Sequence, residues 1–362
     1  MNLVSSKAEK ERRLGIWEKY LTIWVALCIL VGTGLGRLFP QISDFMGRLE
    51  VAHISIPIAI CLFAMIYPIM VQISWEEIRG ALRSPKPIAL TLFANWAIKP
   101  FTMALFAWLF LGVIFANSLT PEQIQDYRAG LILLGVAPCT AMVLVWSYLA
   151  RGNMGQTLVM TAINSLAMVF LFAPLAMLLL GISGITVPWE TIALSVGIYI
   201  LTPLIAGYIT RRQVINRKGM DWFESRLVPK LGKVSIIALL VTLVILFTYQ
   251  GYIIVELPAI IGMITVAILV NILLVFGITY VAARFLHFTY EDASPAAIIA
   301  GSNHFEVAIA VSTTLFGVAS GAALATVVGV LTEVPMMLGL VWLCRATRGT
   351  FRKPLPMGEV SE

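Results

Sequence analysis

The sequence predicts an all-α polytopic membrane protein: ten transmembrane helices laid out as two inverted five-helix repeats, with helices 4 and 9 broken. Three observations carry that prediction. The 362 residues are 59% hydrophobic and only 12% charged, with a mean hydropathy of +0.92, whereas a soluble domain is about half apolar and about a quarter charged. Ten stretches are apolar over the roughly 20 residues that a bilayer core of about 30 Å requires. Finally, one long polar connection divides these stretches five and five, and an odd number per half turns the second half upside down relative to the first.

Taken in order, residues 1–20 (MNLVSSKAEKERRLGIWEKY) are charged and helical in pattern, with no small-residue cleavage site following, so the next apolar run is read as a span and 1–20 as a cytoplasmic segment. Spans are expected at 21–39, 54–73 with a Tyr67-Pro68 kink, 86–116 with Lys99-Pro100 inside it, 129–150 and 153–181, which makes 21–181 the first five-helix repeat. The second repeat opens with a helix in 182–210, its apolar run at 190–210. It is followed by a cytoplasmic loop at 211–232, where Trp222, Phe223, Leu227 and Leu231 alternate with Arg226 and Lys230 as in a surface amphipathic helix. The remaining four helices, expected at 233–254, 258–285, 293–316 and 320–344, fill 233–344, and 345–362 reads as a cytoplasmic tail.

Basic residues set the orientation. Both termini and one alternating set of connections hold nearly all of the 25 Lys and Arg, while the other set holds Arg37, Arg48 and Arg128 alone, so both termini are expected in the cytoplasm. The net charge of +6 is thereby a topology signal and an attraction to the lipid bilayer, with no nucleic acid as partner. Cys28, Cys61, Cys139 and Cys344 lie in apolar runs without a CxxC pair, which gives no disulfide framework, no zinc signature and no cofactor. An intramembrane enzyme is disfavoured: there is no HExxH, the three histidines are scattered and no aspartate falls within a span. A receptor or channel does not require inverted halves with paired breaks, whereas secondary transporters are commonly built that way, with the site at interrupted helices near the midplane.

The breaks locate that site. Gly135 and Pro138 interrupt the fourth span, and Gly301-Ser302-Asn303-His304-Phe305-Glu306 interrupts the ninth at matching depth. Unpaired backbone at that depth survives only inside protein or beside a water-lined cavity. Of the 19 acidic residues, Glu306 and Glu333 alone fall deep within spans, where an ionised carboxylate costs at least about 2.5 kcal/mol on insertion scales. Each reads as a proton-exchanging group or as a structural carboxyl tied to a neighbour. Lys99 is the one cation inside a span and must pair or snorkel. Cys139, directly after Pro138, is placed to meet a solute, while the other cysteines read as packing residues. Asn95, Asn164, Asn271 and Asn303 are amides at membrane depth, suited either to line a route or to glue helices together.

The stretches NWAIKPFTMALFAWLF (95–110), AGLILLGVAPCTAMVLVWSYLARG (129–152), GSNHFEVAIAVS (301–312) and SGAALATVVGVLTEVPMML (320–338) resemble the Acr-type arsenite efflux permeases of the bile acid/arsenite/riboflavin transporter superfamily. The resemblance runs over essentially the whole chain. It implies a panel and a core domain with helices 4 and 9 crossing, in a plasma membrane or bacterial inner membrane. It also implies export of arsenite, with antimonite as a second candidate, against protons. Cys139 is then the metalloid-contacting thiol and the single metal-type ligand, Glu306 the titrating group and Glu333 the acid of the EVP block; Asn95, Lys99, Pro138, Ser302 and Asn303 complete the candidate transport site. This chain departs from many relatives at Asn153, at Asn164-Ser165 in place of Asn-Asp, and at His304, which is either a substitute titrating group or a packed ring. The alternative reading is a sodium- or proton-coupled organic-anion carrier of the same fold, which would need no thiol.

Overall fold

A computed structural model describes residues 21–39, 41, 50–51, 54–73, 85–140, 142–256 and 258–351. The N-terminal segment 1–20, the whole 74–84 connection and the tail beyond 351 lie outside the described residues. Apart from a two-residue antiparallel pair, β1 (Glu50–Val51) with β2 (Ile54–Ser55), the regular structure is helical. Its helices are α1 (Leu21–Leu38), α2 (Ile56–Met70), α3 (Pro85–Ile114), α4 (Pro121–Val136), α5 (Met142–Leu149), α6 (Met154–Ile182) and α7 (Trp189–Lys218). There follow α8, which opens at Met220–Trp222, turns through Phe223–Leu227 and continues as Val228–Glu256, and then α9 (Pro258–Phe285), α10 (Tyr290–Gly301), α11 (Phe305–Phe316) and α12 (Gly321–Thr347).

Among the described residues, α3, α6, α7, the Met220–Tyr249 part of α8, α9 and the Gly321–Thr350 stretch beginning with α12 are long and apolar enough to cross a membrane. The chain is thus a multi-pass membrane protein. Large apolar side chains such as Leu30, Phe170, Ile182 and Trp342 stand outward, as lipid-facing positions do where the solvent is hydrocarbon.

Prolines and caps explain the local geometry. Three π-helical turns, Ala94–Ile98, Gly197–Leu201 and Phe223–Leu227, each end two residues before a proline, at Pro100, Pro203 and Pro229. A proline donates no N–H and its ring crowds the carbonyl four residues back, so the preceding turn widens to i→i−5 bonding, as from Lys99 N to Ala94 O. Thr120 and Gln123 form a reciprocal capping box that starts α4 at Pro121, earlier than the apolar run alone suggests. Asn153 and Ser320 cap α6 and α12 through Gln156 N and Ala323 N.

The 211–232 stretch differs from its expected form. It is not a loop: α7 and α8 run through it from either side and meet at Gly219, whose φ of +81° ends one helix and begins the next. Its charges dilute the hydropathy without breaking the helices, because Arg and Lys are good helix formers, and two of them also meet aromatic faces. The Arg211 guanidinium lies 4.9 Å from the Phe223 ring and the Lys218 ammonium 4.1 Å from the Trp222 ring.

Packing divides into two neighbourhoods. In one, α8 lies against α1 and α2, and α7 lies against α2. Gly32 and Gly36, one turn apart on α1, face Phe247 and Thr248 so closely that a side chain would strike the Thr248 carbonyl oxygen at 2.3 Å. In the other, α4 packs on α12 and α3, and α9 on α3, α10 and α12, with α11 against α12. Here Gly130 approaches the Ala322 carbonyl and Gly329 receives Leu134. The second neighbourhood contains both broken helices.

Candidate functional site

The breaks between α4 and α5 and between α10 and α11 meet. Pro138 and Asn303 form an isolated antiparallel bridge held by two reciprocal backbone bonds: His304 N donates to Ala137 O at 2.8 Å, and Cys139 N donates to Ser302 O at 3.4 Å. The bonds come from the residues flanking the bridged pair, so Pro138 and Asn303 occupy a non-hydrogen-bonded position of a minimal ladder. Their own N–H positions turn away from the partner strand. At Pro138 there is no N–H to satisfy; at Asn303 the N–H turns toward α12, where it lies 3.1 Å from each oxygen of the Glu333 carboxylate.

Glu333 also accepts from the Ser302 hydroxyl, and Lys99 from α3 donates to the Ser302 carbonyl oxygen at 2.8 Å. The Ser302 carbonyl and the Asn303 N–H belong to one peptide unit. An ammonium therefore faces its oxygen and a carboxylate its nitrogen, each complementary to the peptide dipole, in a place where Lys99 is wholly buried and Glu333 is 2% exposed. Lys99 thus finds a backbone carbonyl as its partner, and Glu333 ties down the backbone of the second break.

Cys139, Ser302, Asn303, His304 and Glu306 are all buried around this bridge. In the first turn of α11, Glu306 Oε2 lies 2.9 Å from His304 Nδ1, out of line for a hydrogen bond. Among the described residues no hydrogen-bond partner reaches Glu306 Oε2, either His304 ring nitrogen, either atom of the Asn303 amide or the Thr140 hydroxyl. The structure thus brings Lys99, Pro138, Cys139, Ser302, Asn303 and Glu333 into one contact network, with Glu306 beside it. Asn95 is elsewhere occupied: its amide donates to Asn164 on α6 at 3.1 Å, and Asn271 on α9 similarly donates to Thr102 on α3 at 2.7 Å. Each bond joins two helices, while the Asn95 and Asn271 side-chain oxygens have no hydrogen-bond partner among the described residues. Thr140 was missed in the sequence, although a hydroxyl within a proline break was the available signal.

The ends of the broken helices are anchored in a matching way. Asp126 on α4 accepts from Gly321 N at the start of α12 at 3.1 Å, and Asn153 at the start of α6 donates through its side chain to Asp292 on α10 at 3.1 Å. Asn153 N further donates to Glu291 O at 2.7 Å, and Tyr290 to Ala150 O at 2.5 Å.

Residues 59–257 match the Sodium Bile acid symporter family. Over 96% of this chain and 93% of its own length, an uncharacterized transporter of Synechocystis is 52% identical. The arsenical-resistance protein Acr3 of Alkaliphilus metalliredigens is 44% identical over 93% of this chain and 95% of its own. The Acr3 protein of Corynebacterium glutamicum is 33% identical over 92% and 90%. With relatives of this kind the molecule is a transporter and not an enzyme. A family match over more than half of the sequence, joined to near full-length identity with two Acr3 proteins, places the chain in the Sodium Bile acid symporter family, among its Acr3-type arsenical-resistance permeases.

Proposed function

We propose that the protein exports arsenite, and antimonite as a related trivalent oxyacid, from the cytoplasm by proton antiport. Ten spans form two inverted repeats in a bacterial inner membrane, with both termini cytoplasmic. The observation that carries this reading is the bridge itself: a buried thiol, Cys139, and a buried carboxylate, Glu306, flank two helix breaks that hydrogen-bond reciprocally. Supporting the inverted plan, the two bonds are images of one another, with Cys139 donating to the residue before Asn303 and His304 to the residue before Pro138.

Trivalent arsenic is a soft centre that bonds sulfur, and at neutral pH arsenite is mainly the uncharged trihydroxide. The Cys139 thiol exchanges for one hydroxyl: an S–As bond forms, an As–O bond breaks, and the thiol proton leaves with the hydroxide as water. One thiol holds the metalloid reversibly where three would trap it. Glu306, protonated from the outside and deprotonated to the cytoplasm, biases the two conformations in which the site opens to either face.

Arsenite accumulation by energised inside-out vesicles tests the reading, with wild type, Cys139→Ala and Glu306→Gln at equal expression. Accumulation by wild type and background levels in both variants is the expected result. No arsenite movement by wild type overturns the assignment and leaves the organic-anion carrier, whose transport would be indifferent to Cys139→Ala.

A further inference from the structure

We propose that His304, with Asn303 and Thr140, forms a hydroxyl-recognising half of the substrate site, so that the transporter selects trihydroxides of trivalent metalloids by the two hydroxyl groups left once Cys139 has displaced the third. This rests on the arsenite reading above and adds to the thiol a second, chemically distinct recognition element.

The position of His304 is the first ground. It is the residue following the bridged Asn303, as Cys139 follows the bridged Pro138, and each donates its backbone N–H across the ladder. The two side chains therefore leave equivalent points of the same two-bond unit. The second ground is hydrogen bonding. Four side-chain atoms on the two joined segments are buried and lack a hydrogen-bond partner among the described residues, Thr140 Oγ1, Asn303 Oδ1 and Nδ2, and His304 Nε2, while His304 Nδ1 faces Glu306 Oε2 at 2.9 Å. His304 and Asn303 are wholly buried, and Thr140 is 2% exposed. An unmade hydrogen bond in such a place is destabilising, and native proteins rarely leave a group this way unless water or a ligand satisfies it.

The third ground is complementarity. The ring nitrogen His304 Nε2 takes part in hydrogen bonds, an amide offers two donors and two acceptor lone pairs, and a hydroxyl both donates and accepts. The hydroxyls of a metalloid trihydroxide each donate and accept, so they match this mixed set. Lys99 and Glu333 are not free for the task, because both hold the 302–303 peptide. A thiol alone recognises the arsenic atom and is blind to what else it carries; the discrimination among trivalent arsenicals falls to the hydrogen-bonding groups. A site built to hydrogen-bond a hydroxyl rejects an analogue lacking it, since its own buried groups are then left unpaired.

Methylarsonous acid is the probe, since a methyl replaces one hydroxyl while the arsenic stays trivalent and thiol-reactive. Initial rates into inside-out vesicles give kcat/KM for arsenite and for methylarsonous acid with wild type, His304→Ala, His304→Gln and Thr140→Val. Wild type is expected to favour arsenite. His304→Ala should lower kcat/KM for arsenite about tenfold, the equivalent of one hydrogen bond at about 1.4 kcal/mol, while that for methylarsonous acid changes less than about threefold. His304→Gln, which keeps a donor and an acceptor, should restore part of the preference, and Thr140→Val should shift it in the same direction as His304→Ala. Retained methylarsonous acid transport shows that each variant is folded. An unchanged preference in His304→Ala, or equal loss of both substrates in all three variants, overturns the inference while leaving arsenite export intact. A wild type that moves neither substrate overturns the export reading on which it rests.

Discussion

The two helix breaks at the bridge share a backbone arrangement and differ in how their polar groups are satisfied. At the first, proline removes the N–H that would point away from the ladder. At the second, Asn303 keeps that N–H and a carboxylate from another helix accepts it, while a lysine from a third holds the neighbouring carbonyl. One break avoids the unsatisfied group by omission and the other by pairing. The difference makes the second break the anchored partner: Cys139 N donates to the same Ser302 oxygen that Lys99 holds, so the thiol's position depends on a clamp built from α3 and α12.

Breaking the clamp should therefore give the largest effect. Glu333→Leu leaves the Ser302 hydroxyl and the Asn303 N–H without their acceptor, and each buried polar group left unsatisfied costs about 1–3 kcal/mol, more beside a charged group. Thermal unfolding of the purified protein in detergent should show a markedly lower midpoint, with arsenite transport lost. Lys99→Met alone should cost less, because Cys139 N still donates to Ser302 O. The double variant should be more stable than the sum of the two single losses predicts, since it removes both charges together. Strict additivity would show that the two side chains do not act on one peptide.

This clamp marks the boundary of what the sequence discloses. Pro138 and the Gly301–Glu306 run announce the breaks because proline and glycine have local consequences. The family follows from long stretches of similarity. Lys99 announces that it needs a partner but not which one, since the partner is a backbone carbonyl 203 residues away, and a carbonyl has no sequence signature. Glu333 presents the same difficulty: buried acids are conspicuous, yet its acceptor role toward the Asn303 N–H exists only once α12 packs beside the break. The helix through 211–218, where a loop is expected from sequence, has a related cause. Arg211 and Lys218 lower the local hydropathy but favour helix, and they meet the Phe223 and Trp222 rings across the turn at Gly219. From sequence Asn95 is an amide suited either to line the route or to join helices; its amide nitrogen donates to Asn164, while its oxygen finds no hydrogen-bond partner among the described residues.

A second substitution tests avoidance against pairing. Pro138→Ala introduces an N–H at a buried position, with no counterpart of Glu333 bonded there among the described residues, and also restores freedom to the unfolded chain. The first contributes about 1–3 kcal/mol and the second about 0.4–1 kcal/mol, both destabilising. The bridge's two bonds come from Ala137 and Cys139, so they remain. The expected result is a lower unfolding midpoint than wild type, with arsenite transport still measurable in vesicles; a variant as stable as wild type would mean that the proline has no such role.

The smallest effect separates the helices leading into the breaks. A side chain added at Gly135, near the end of α4, would meet Met103 Cβ at 2.5 Å and Cγ at 2.7 Å, whereas one at Gly301, the end of α10, would meet Phe276 Cβ at 3.1 Å. Met103 Cβ is fixed by its own backbone and cannot rotate away, so Gly135→Ala must push α4 from α3. Overpacking of this kind costs about 1–3 kcal/mol, against a gain of up to about 1 kcal/mol from replacing a helical glycine, leaving a net loss of about 1 kcal/mol. At Gly301 a shift of a few tenths of an ångström by Phe276 suffices, and Gly301→Ala should be close to neutral. Unfolding midpoints of the two variants, measured side by side in one detergent, should thus place Gly135→Ala below Gly301→Ala. The reverse order would mean that the approach to the clamped break is the tighter one, and that the anchoring by Lys99 and Glu333 extends back into α10.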